Sequence, residues 1–174
     1  IKLAGGSLPS TQGLDWLADK GYKTLLDLRE SSEIQPAYIA EVANRGMRYV
    51  ALPLSARTID ADHVKRFELE LASESTRPLY FFDSDGTRPG AMWYVRRITK
   101  DNFNPQIARR DAEELGLKDK AFWLAATQFV ERATAAKISQ LPHDADLDPE
   151  TTPASTSTPT PEPSTSRAPK SPSA

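Results

Sequence analysis

Short apolar segments alternate with amphipathic segments through most of the chain, and this order restricts the fold more than any other feature of the sequence. The apolar segments have the length of strands, and the segments between them have the periodicity of helices. The expected strands are 3–7, 22–28, 47–54 and 78–82, and the expected helices are 12–20, 36–44, 61–72, 89–100, 105–115 and 118–137. This order predicts an α/β fold with a mostly parallel central sheet flanked by helices, and it places functional sites at the carboxyl ends of the strands.

The last part of the chain has a different composition. From Ser139 to Ala174 the sequence is rich in proline, serine and threonine, and it holds 8 of the 14 prolines. Such a segment cannot bury enough apolar surface to offset the loss of chain entropy, so we expect a disordered tail over 139–174. The expected folded domain is therefore residues 1–138, which is long enough for one core.

Charge and residue types exclude several functional classes. The net charge is −2, and without the acidic tail the domain is near +1, so the basic surface that nucleic acid binding needs is absent from the sequence. The chain has no cysteine, and no apolar run reaches the roughly 18 residues of a membrane span. The first residue is Ile1 rather than methionine, so a removed export signal and an upstream domain are both open interpretations.

The segment from Leu79 to Gly90, LYFFDSDGTRPG, has the clearest functional pattern. An apolar strand ends in a tight polar turn that leads into a helix, and unpaired N–H groups at such a helix start attract anions. Ser84, Gly86, Thr87 and Arg88 are the expected anion-binding residues. Two carboxylates, Asp83 and Asp85, stand in the same turn, where a phosphate-binding loop normally has none.

One interpretation of this turn is a phosphohydrolase that depends on Mg²⁺. The sequence Asp-x-Asp-Gly-Thr resembles the first motif of haloacid-dehalogenase-type phosphotransferases. That resemblance implies that Asp83 attacks phosphorus, that Asp85 handles the proton and that Mg²⁺ screens the charges. However, the strand-borne acidic pair that this family places later in the chain does not follow here, and no metal-ligand cluster appears in the sequence.

A longer similarity favours a second interpretation. Leu28-Arg29 followed by Glu33, and Gly86-Thr87-Arg88 at a helix start, are its most specific parts, and it extends over about residues 4–131. In these features the chain resembles the bacterial beta-lactamase-hydrolase-like group of the protein-tyrosine and dual-specificity phosphatase superfamily. The resemblance implies a phosphatase-like domain whose loop holds phosphate.

Residue by residue, this resemblance also implies a loss of catalysis. The family loop reads His-Cys-x-x-Gly-x-Arg, so Phe82 stands at the histidine, Asp83 at the nucleophilic cysteine, and Gly86 and Arg88 match. A cysteine acts there as a thiolate, whereas an aspartate is already ionised and repels the phosphate that the loop would bind. We expect Asp83 to accept the N–H groups of the loop itself, with Asp83 or Asp85 as partners of Arg88.

Four further residues are candidates for supporting roles. Arg29 and Glu33 are expected to pair and brace the loop, although Arg29 could instead contact a bound anion. Asp60 and Asp62 precede or open the third helix, where this superfamily often places its general acid, while capping of the helix explains Asp60 without any catalytic role. His63 is expected to be solvated or structural.

The sequence therefore predicts a phosphatase-fold domain with Asp83 in place of the catalytic cysteine, a pseudophosphatase with a binding or regulatory role. No cofactor or metal is expected for it, and its partner is an unidentified protein or phosphorylated ligand. The alternative is the Mg²⁺-dependent phosphohydrolase that uses Asp83 and Asp85. A residual anion-binding domain, stabilised by phosphate or sulfate, is the third interpretation.

Overall fold

The computed structural model describes residues 3–140, and the predicted tail lies outside the described residues from position 141 onward. In chain order the elements are β1 (Leu3–Ser7), α1 (Thr11–Asp19), β2 (Thr24–Asp27), α2 (Pro36–Asn44), β3 (Arg48–Ala51), α3 (Ala61–Ala72), β4 (Leu79–Asp83), α4 (Thr87–Thr99), α5 (Pro105–Leu115) and α6 (Lys120–Ser139). The four strands form one parallel sheet in the order β1-β4-β2-β3. The predicted α/β class with a parallel sheet flanked by helices is confirmed.

Two apolar clusters cover the two faces of this sheet. Neighbouring residues of a strand point to opposite faces, so Leu25 and Phe82 join one cluster while Leu26 and Phe81 join the other. The first cluster includes residues of α1 and α2, and the second includes residues of α3, α4, α5 and α6. Burial on both faces explains why the central strands read as continuous apolar runs rather than as alternating ones.

The observed strands β2 and β3 are shorter than predicted. β3 is expected to reach residue 54 but ends at Ala51, because its regular pairing with β2 shifts by one residue beyond Leu52. The chain nevertheless stays beside β2, since the N–H of Leu52 donates to the carbonyl of Asp27 (2.8 Å) and that of Leu54 to the carbonyl of Leu28 (3.1 Å). This extension carries the Leu54 carbonyl to the edge of the sheet where the candidate site lies.

The start of α4 also differs from the prediction. The helix begins at Thr87 rather than after Arg88, with Gly86 as its N-cap at φ +92°. The turn between β4 and α4 is thus only residues 84–86, and Arg88 lies in the first turn of the helix. Within residues 3–140, no helix combines the length and the hydrophobicity required to cross a bilayer.

Candidate functional site

The site lies at the carboxyl ends of β2 and β4, which are neighbours in the sheet with Asp27 beside Phe82. Because parallel strands end at the same edge, the segments that follow them come together there. These segments are the loop after β4 and the turn after β2, where Ser31–Glu33 form a short 3₁₀ helix.

Two glycines allow the loop to lie directly against the end of α5. The left-handed backbone of Gly86 already favours glycine, and a Cβ at this position would lie 1.9 Å from the carbonyl oxygen of Leu115. One turn further on, a Cβ at Gly90 would lie 2.6 Å from both the Ala112 carbonyl oxygen and the Leu117 Cβ. The close contact between α4 and α5 therefore fixes the position of the loop.

The carboxylate of Asp83 occupies the centre of the loop. Its Oδ1 accepts hydrogen bonds from the backbone N–H of Gly86 (2.6 Å) and of Asp85 (3.2 Å). Its Oδ2 accepts from the backbone N–H of Arg88 (3.1 Å) and from its guanidinium Nη1 (3.3 Å). The side chain is 1% exposed, so this carboxylate lies inside the loop and is shielded from solvent.

Asp85 satisfies the remaining backbone donor of the turn. Its Oδ1 accepts from the backbone N–H of Thr87 at 2.9 Å. Asp85 itself is exposed, as is Ser84, whereas the side chain of Thr87 is buried. The N–H groups of residues 85, 86, 87 and 88 thus all donate to carboxylates of the loop itself.

Opposing effects act on the pKa of Asp83. Burial raises the pKa of its carboxyl group above the ordinary value, because an ion loses hydration inside the protein. The N–H groups of Arg88 and Gly86 lower it, and the nearby charge of Asp85 raises it. The net direction is upward, so burial outweighs the hydrogen bonds.

The guanidinium of Arg88 has four protein partners. Its Nε donates to the carbonyl of Leu54 (2.8 Å), and its Nη2 donates to Oε2 of Glu33 (2.7 Å). Its Nη1 lies 3.4 Å from Oε1 of Glu33 and 3.3 Å from Oδ2 of Asp83. Its carbon Cζ also lies 5.7 Å from the ring centre of Phe122 on α6. Asp83 is thus a partner of Arg88, as predicted, and Asp85 is not.

The predicted side-chain pair between Arg29 and Glu33 is wrong. Arg29 instead forms a buried, bidentate pair with Asp27, with distances of 3.0 Å from Nε and 2.6 Å from Nη2 to Oδ2. The rings of Tyr38 and Phe82 lie next to its guanidinium, at 5.1 and 5.6 Å. Arg29 still contacts the turn, because its Nη1 donates to the backbone carbonyl of Glu33 (3.3 Å). The carboxylate of Glu33 is free to pair with Arg88.

Asp60 caps helix α3. Its Oδ1 accepts from the backbone N–H of His63 and lies 2.9 Å from the ring nitrogen Nδ1 of the same residue. These hydrogen bonds from His63 lower the pKa of Asp60. Asp62 lies in the first turn of the same helix. Among the hydrogen bonds of residues 3–140, none joins Asp60, Asp62 or His63 to the loop that holds Asp83.

Sequence reasoning alone misses three contributors to this site. The Leu54 carbonyl cannot be found from the sequence, because any residue type has a backbone acceptor. Gly90 can be suspected, because a glycine four residues after Gly86 inside a helical pattern indicates close packing. Asp27 can be suspected as a buried partner for a cation, since it is the one carboxylate in the apolar run of β2.

In this arrangement the N–H groups of residues 85–88 and the guanidinium of Arg88 donate to the chain's own acceptors. Each oxygen of the Asp83 carboxylate already accepts two hydrogen bonds, so attack on a phosphorus atom would require that at least one of them break. Within the described residues, no group of three or more histidine, aspartate or glutamate side chains is placed to hold a metal ion.

Comparison with known proteins gives a family match over most of the chain. A family model described as PTP-NADK, a DSP-PTPase phosphatase fused to NAD⁺ kinase, matches residues 1–131. The chain is 33% identical over 106 residues to the probable NAD kinase 2, chloroplastic, of Oryza sativa subsp. japonica, a match that covers 55% of this chain and 11% of the relative. It is also 28% identical over 141 residues to the beta-lactamase hydrolase-like protein of Agrobacterium fabrum, covering 78% of this chain and 31% of that protein.

Among solved structures, the core catalytic domain of the PP-IP phosphatase SIW14 from S. cerevisiae has a similar fold. The TM-score is 0.63 at 17% identity, and the match covers 80% of this chain and 90% of that one. At this identity the likeness establishes the fold alone. The chain spans less than a third of the length of the curated relatives that it matches.

Proposed function

Because this chain belongs to the family of DSP-PTPase phosphatases fused to NAD⁺ kinase, we propose that it is a pseudophosphatase, a phosphatase-fold module that binds or regulates without cysteine-dependent catalysis. The observation that carries the proposal is the position of Asp83. This residue stands where the family resemblance places the cysteine nucleophile, and its carboxylate takes the hydrogen bonds of the loop.

Chemistry supports a loss of catalysis at this position. A cysteine thiolate is a soft nucleophile that the N–H groups of a helix start stabilise. Asp83 is buried, and its two oxygens accept four hydrogen bonds from residues 85, 86 and 88. A phosphate in this loop would meet a negative charge in place of those donors, so both binding and attack are disfavoured.

A binding or regulatory role fits the relatives. In the rice NAD kinase 2 the matching region is 11% of the protein, so a domain of this kind is one part of a much longer chain there. The fold around the loop of this chain is complete, with its sheet, its clusters and its close contact between α4 and α5. We propose that the domain has kept its structure because partner binding depends on that structure.

The alternative, a Mg²⁺-dependent phosphohydrolase, requires Asp83 to act as a nucleophile and Asp85 as an acid or base. The hydrogen bonds of both carboxylates oppose it, since Asp85 already accepts from Thr87 and Asp83 from three residues. An activity assay with and without Mg²⁺ is therefore needed to distinguish the pseudophosphatase from the Mg²⁺-dependent phosphohydrolase.

The test is hydrolysis of an aryl phosphate by the purified protein, with Mg²⁺ and with EDTA, for wild type, Asp83→Asn and Asp83→Cys. We expect no turnover by wild type in either condition and a gain of EDTA-insensitive turnover in Asp83→Cys, which serves as the matched control. EDTA-insensitive turnover by wild type would overturn the proposal. Turnover that disappears with EDTA and in Asp83→Asn would instead assign the alternative.

A further inference from the structure

The outer edge of β3 and the groove between it and α3 carry an inference that goes beyond the proposed function. We infer that this surface pairs with the same surface of a second copy of the chain, so that two β3 strands join antiparallel about a two-fold axis. The partner is thus the protein itself. The groove shares no lining residue with the loop that holds Asp83.

The backbone of β3 offers an open edge. β3 is the last strand of the sheet and, among the described residues, pairs with β2 alone. The N–H groups of Arg48 and Leu52 point inward, since they donate to carbonyls at or next to β2 (2.7 and 2.8 Å). Backbone groups alternate in direction along a strand, so the N–H and C=O groups of Tyr49 and Ala51 point outward. Ala51 is exposed, as an uncovered edge requires.

These outward groups are complementary to themselves. When a two-fold axis passes beside Val50, Tyr49 of each copy lies opposite Ala51 of the other, and each such pair exchanges both of its N–H···O=C hydrogen bonds. Pro53 is at the next outward position and has no N–H group, so the pairing cannot extend further along the chain. The edge therefore pairs with its own copy in one register, with every outward group of Tyr49 and Ala51 satisfied.

A groove beside this edge supplies a side-chain surface. Two clefts of about 100 and about 400 Å³ share Leu69 and Glu70 of α3. The other lining residues are Val50, Leu52 and Arg66 in the smaller cleft, and Arg48, Ser73, Ser75 and Thr76 in the larger one. Leu69 is 61% exposed. Because Val50 and Leu69 line the same cleft, a pair of copies joined at β3 gains an apolar centre from both.

The charges along the groove favour a second copy over a partner of one charge sign. Arg48 pairs with Glu70 (3.0 and 3.4 Å), while Arg66, one helical turn before Glu70, forms no ion pair within residues 3–140. Glu74 begins the short turn that borders the larger cleft. Cations and anions are thus balanced around an exposed leucine. An interface between identical copies must be self-complementary, and this balance meets that requirement.

β3 is a better edge for such pairing than β1, the other terminal strand of the sheet. β1 contains Gly5 and Gly6, which weaken a strand and specify its register poorly. β3 instead has Tyr49 and Val50, which are types that favour strands, and Pro53 limits its register. We therefore assign the contact between copies to β3.

The experiment is sedimentation equilibrium of the full 174-residue chain from about 5 µM to about 1 mM. We expect wild type to change from monomer to dimer over this range, because a four-residue strand gives an interface at the small end of specific ones. Leu69→Lys places a charge in the apolar centre and should weaken the dimer at least about tenfold. Ala51→Pro removes an outward N–H group and should abolish the dimer, while the inward pairing with β2 is kept.

Leu124→Lys is the matched control. Leu124 is 59% exposed, lies on α6 and does not line the groove, so this variant should associate like wild type. Circular dichroism checks that each variant is folded. Should Ala51→Pro fail to fold, the exposed substitution Leu69→Lys decides the question alone.

A wild type that stays monomeric up to about 1 mM would overturn the inference. A dimer that either folded edge variant leaves intact would also overturn it, as would equal weakening by Leu124→Lys and Leu69→Lys, because another surface would then form the contact. Association is measured without any substrate, so phosphatase activity of the wild type would refute the proposed function and leave this result unchanged.

Discussion

Replacement of Gly90 by alanine should destabilise the domain, against the usual effect of this substitution in a helix. In an unconstrained helix interior, glycine to alanine stabilises by about 1 kcal/mol. Here the new Cβ would lie 2.6 Å from the Ala112 carbonyl oxygen, 2.6 Å from the Leu117 Cβ and 3.0 Å from the Leu117 backbone nitrogen. Two of these three atoms belong to the backbone of another segment, so a side-chain rotation cannot relieve the clash.

The expected change in the free energy of unfolding is the cost of the clash minus the gain in helix propensity. Overpacking of a tight interface costs about 1–3 kcal/mol, and contact with rigid backbone favours the upper end of that range. After subtraction of the helix gain, Gly90→Ala should lower the free energy of unfolding by about 2 kcal/mol. For a domain of this size the melting temperature should fall by about 8 °C.

Gly13 in α1 gives a matched control. A Cβ there would lie 3.3 Å from the Pro9 Cβ and 3.6 Å from the Ser10 hydroxyl oxygen, with no backbone atom among its nearest neighbours. Gly13→Ala should therefore raise the free energy of unfolding by between 0 and about 1 kcal/mol. Urea denaturation of wild type and both variants measures the difference, and a Gly90→Ala protein as stable as Gly13→Ala would refute the role assigned to this contact.

Two further results are expected from the charged groups of the site. Because burial raises the pKa of Asp83, its contribution to stability is present at low pH and is lost as the pH rises from about 4 through the raised value. The free energy of unfolding of wild type, measured by urea denaturation at several pH values, should thus fall relative to that of Asp83→Asn as the pH rises through this range. A difference that stays constant or grows with pH would contradict the raised pKa of Asp83. Arg29→Ala leaves the carboxylate of Asp27 buried without an opposite charge, with the Tyr49 hydroxyl still donating to it, and should cost about 3–5 kcal/mol. Arg110→Ala, which removes an exposed pair with Glu114, should cost at most about 1 kcal/mol. Similar losses for the two variants would refute the difference expected between a buried and an exposed pair.

The fold was predictable because local signals agree with one another. Apolar runs of strand length alternate with helical periodicity, and Gly21, Pro36 and Gly46 mark helix ends as expected. The errors are at element boundaries, where β3 ends at a shift in its pairing with β2 and α4 begins directly after Gly86. Gly86 was visible in the sequence, but the end of a strand depends on its pairing with a neighbour, which the sequence does not locate.

The site was predictable only as far as it is local. Asp83, Gly86 and Arg88 lie within six positions, so their proximity follows from the strand, turn and helix that they occupy. The pairing of Glu33 with Arg88 joins residues 55 positions apart, and no spacing rule connects them. The sequence offered Arg29 as the nearer cation for Glu33, but Asp27, two residues away and fully buried, pairs with Arg29 instead.

The polar groups of the loop explain how Asp83 can be tolerated at all. A turn that opens into a helix leaves backbone N–H groups without partners, and these need an acceptor whether or not a ligand is present. Asp83 supplies that acceptor for three of them, Asp85 supplies it for a fourth, and Glu33 takes the guanidinium of Arg88. The loop therefore needs no bound anion to satisfy its donors. A phosphate in the loop would meet these same carboxylates as like charges, so the internal hydrogen bonding of the loop and the loss of catalysis that we propose have one cause.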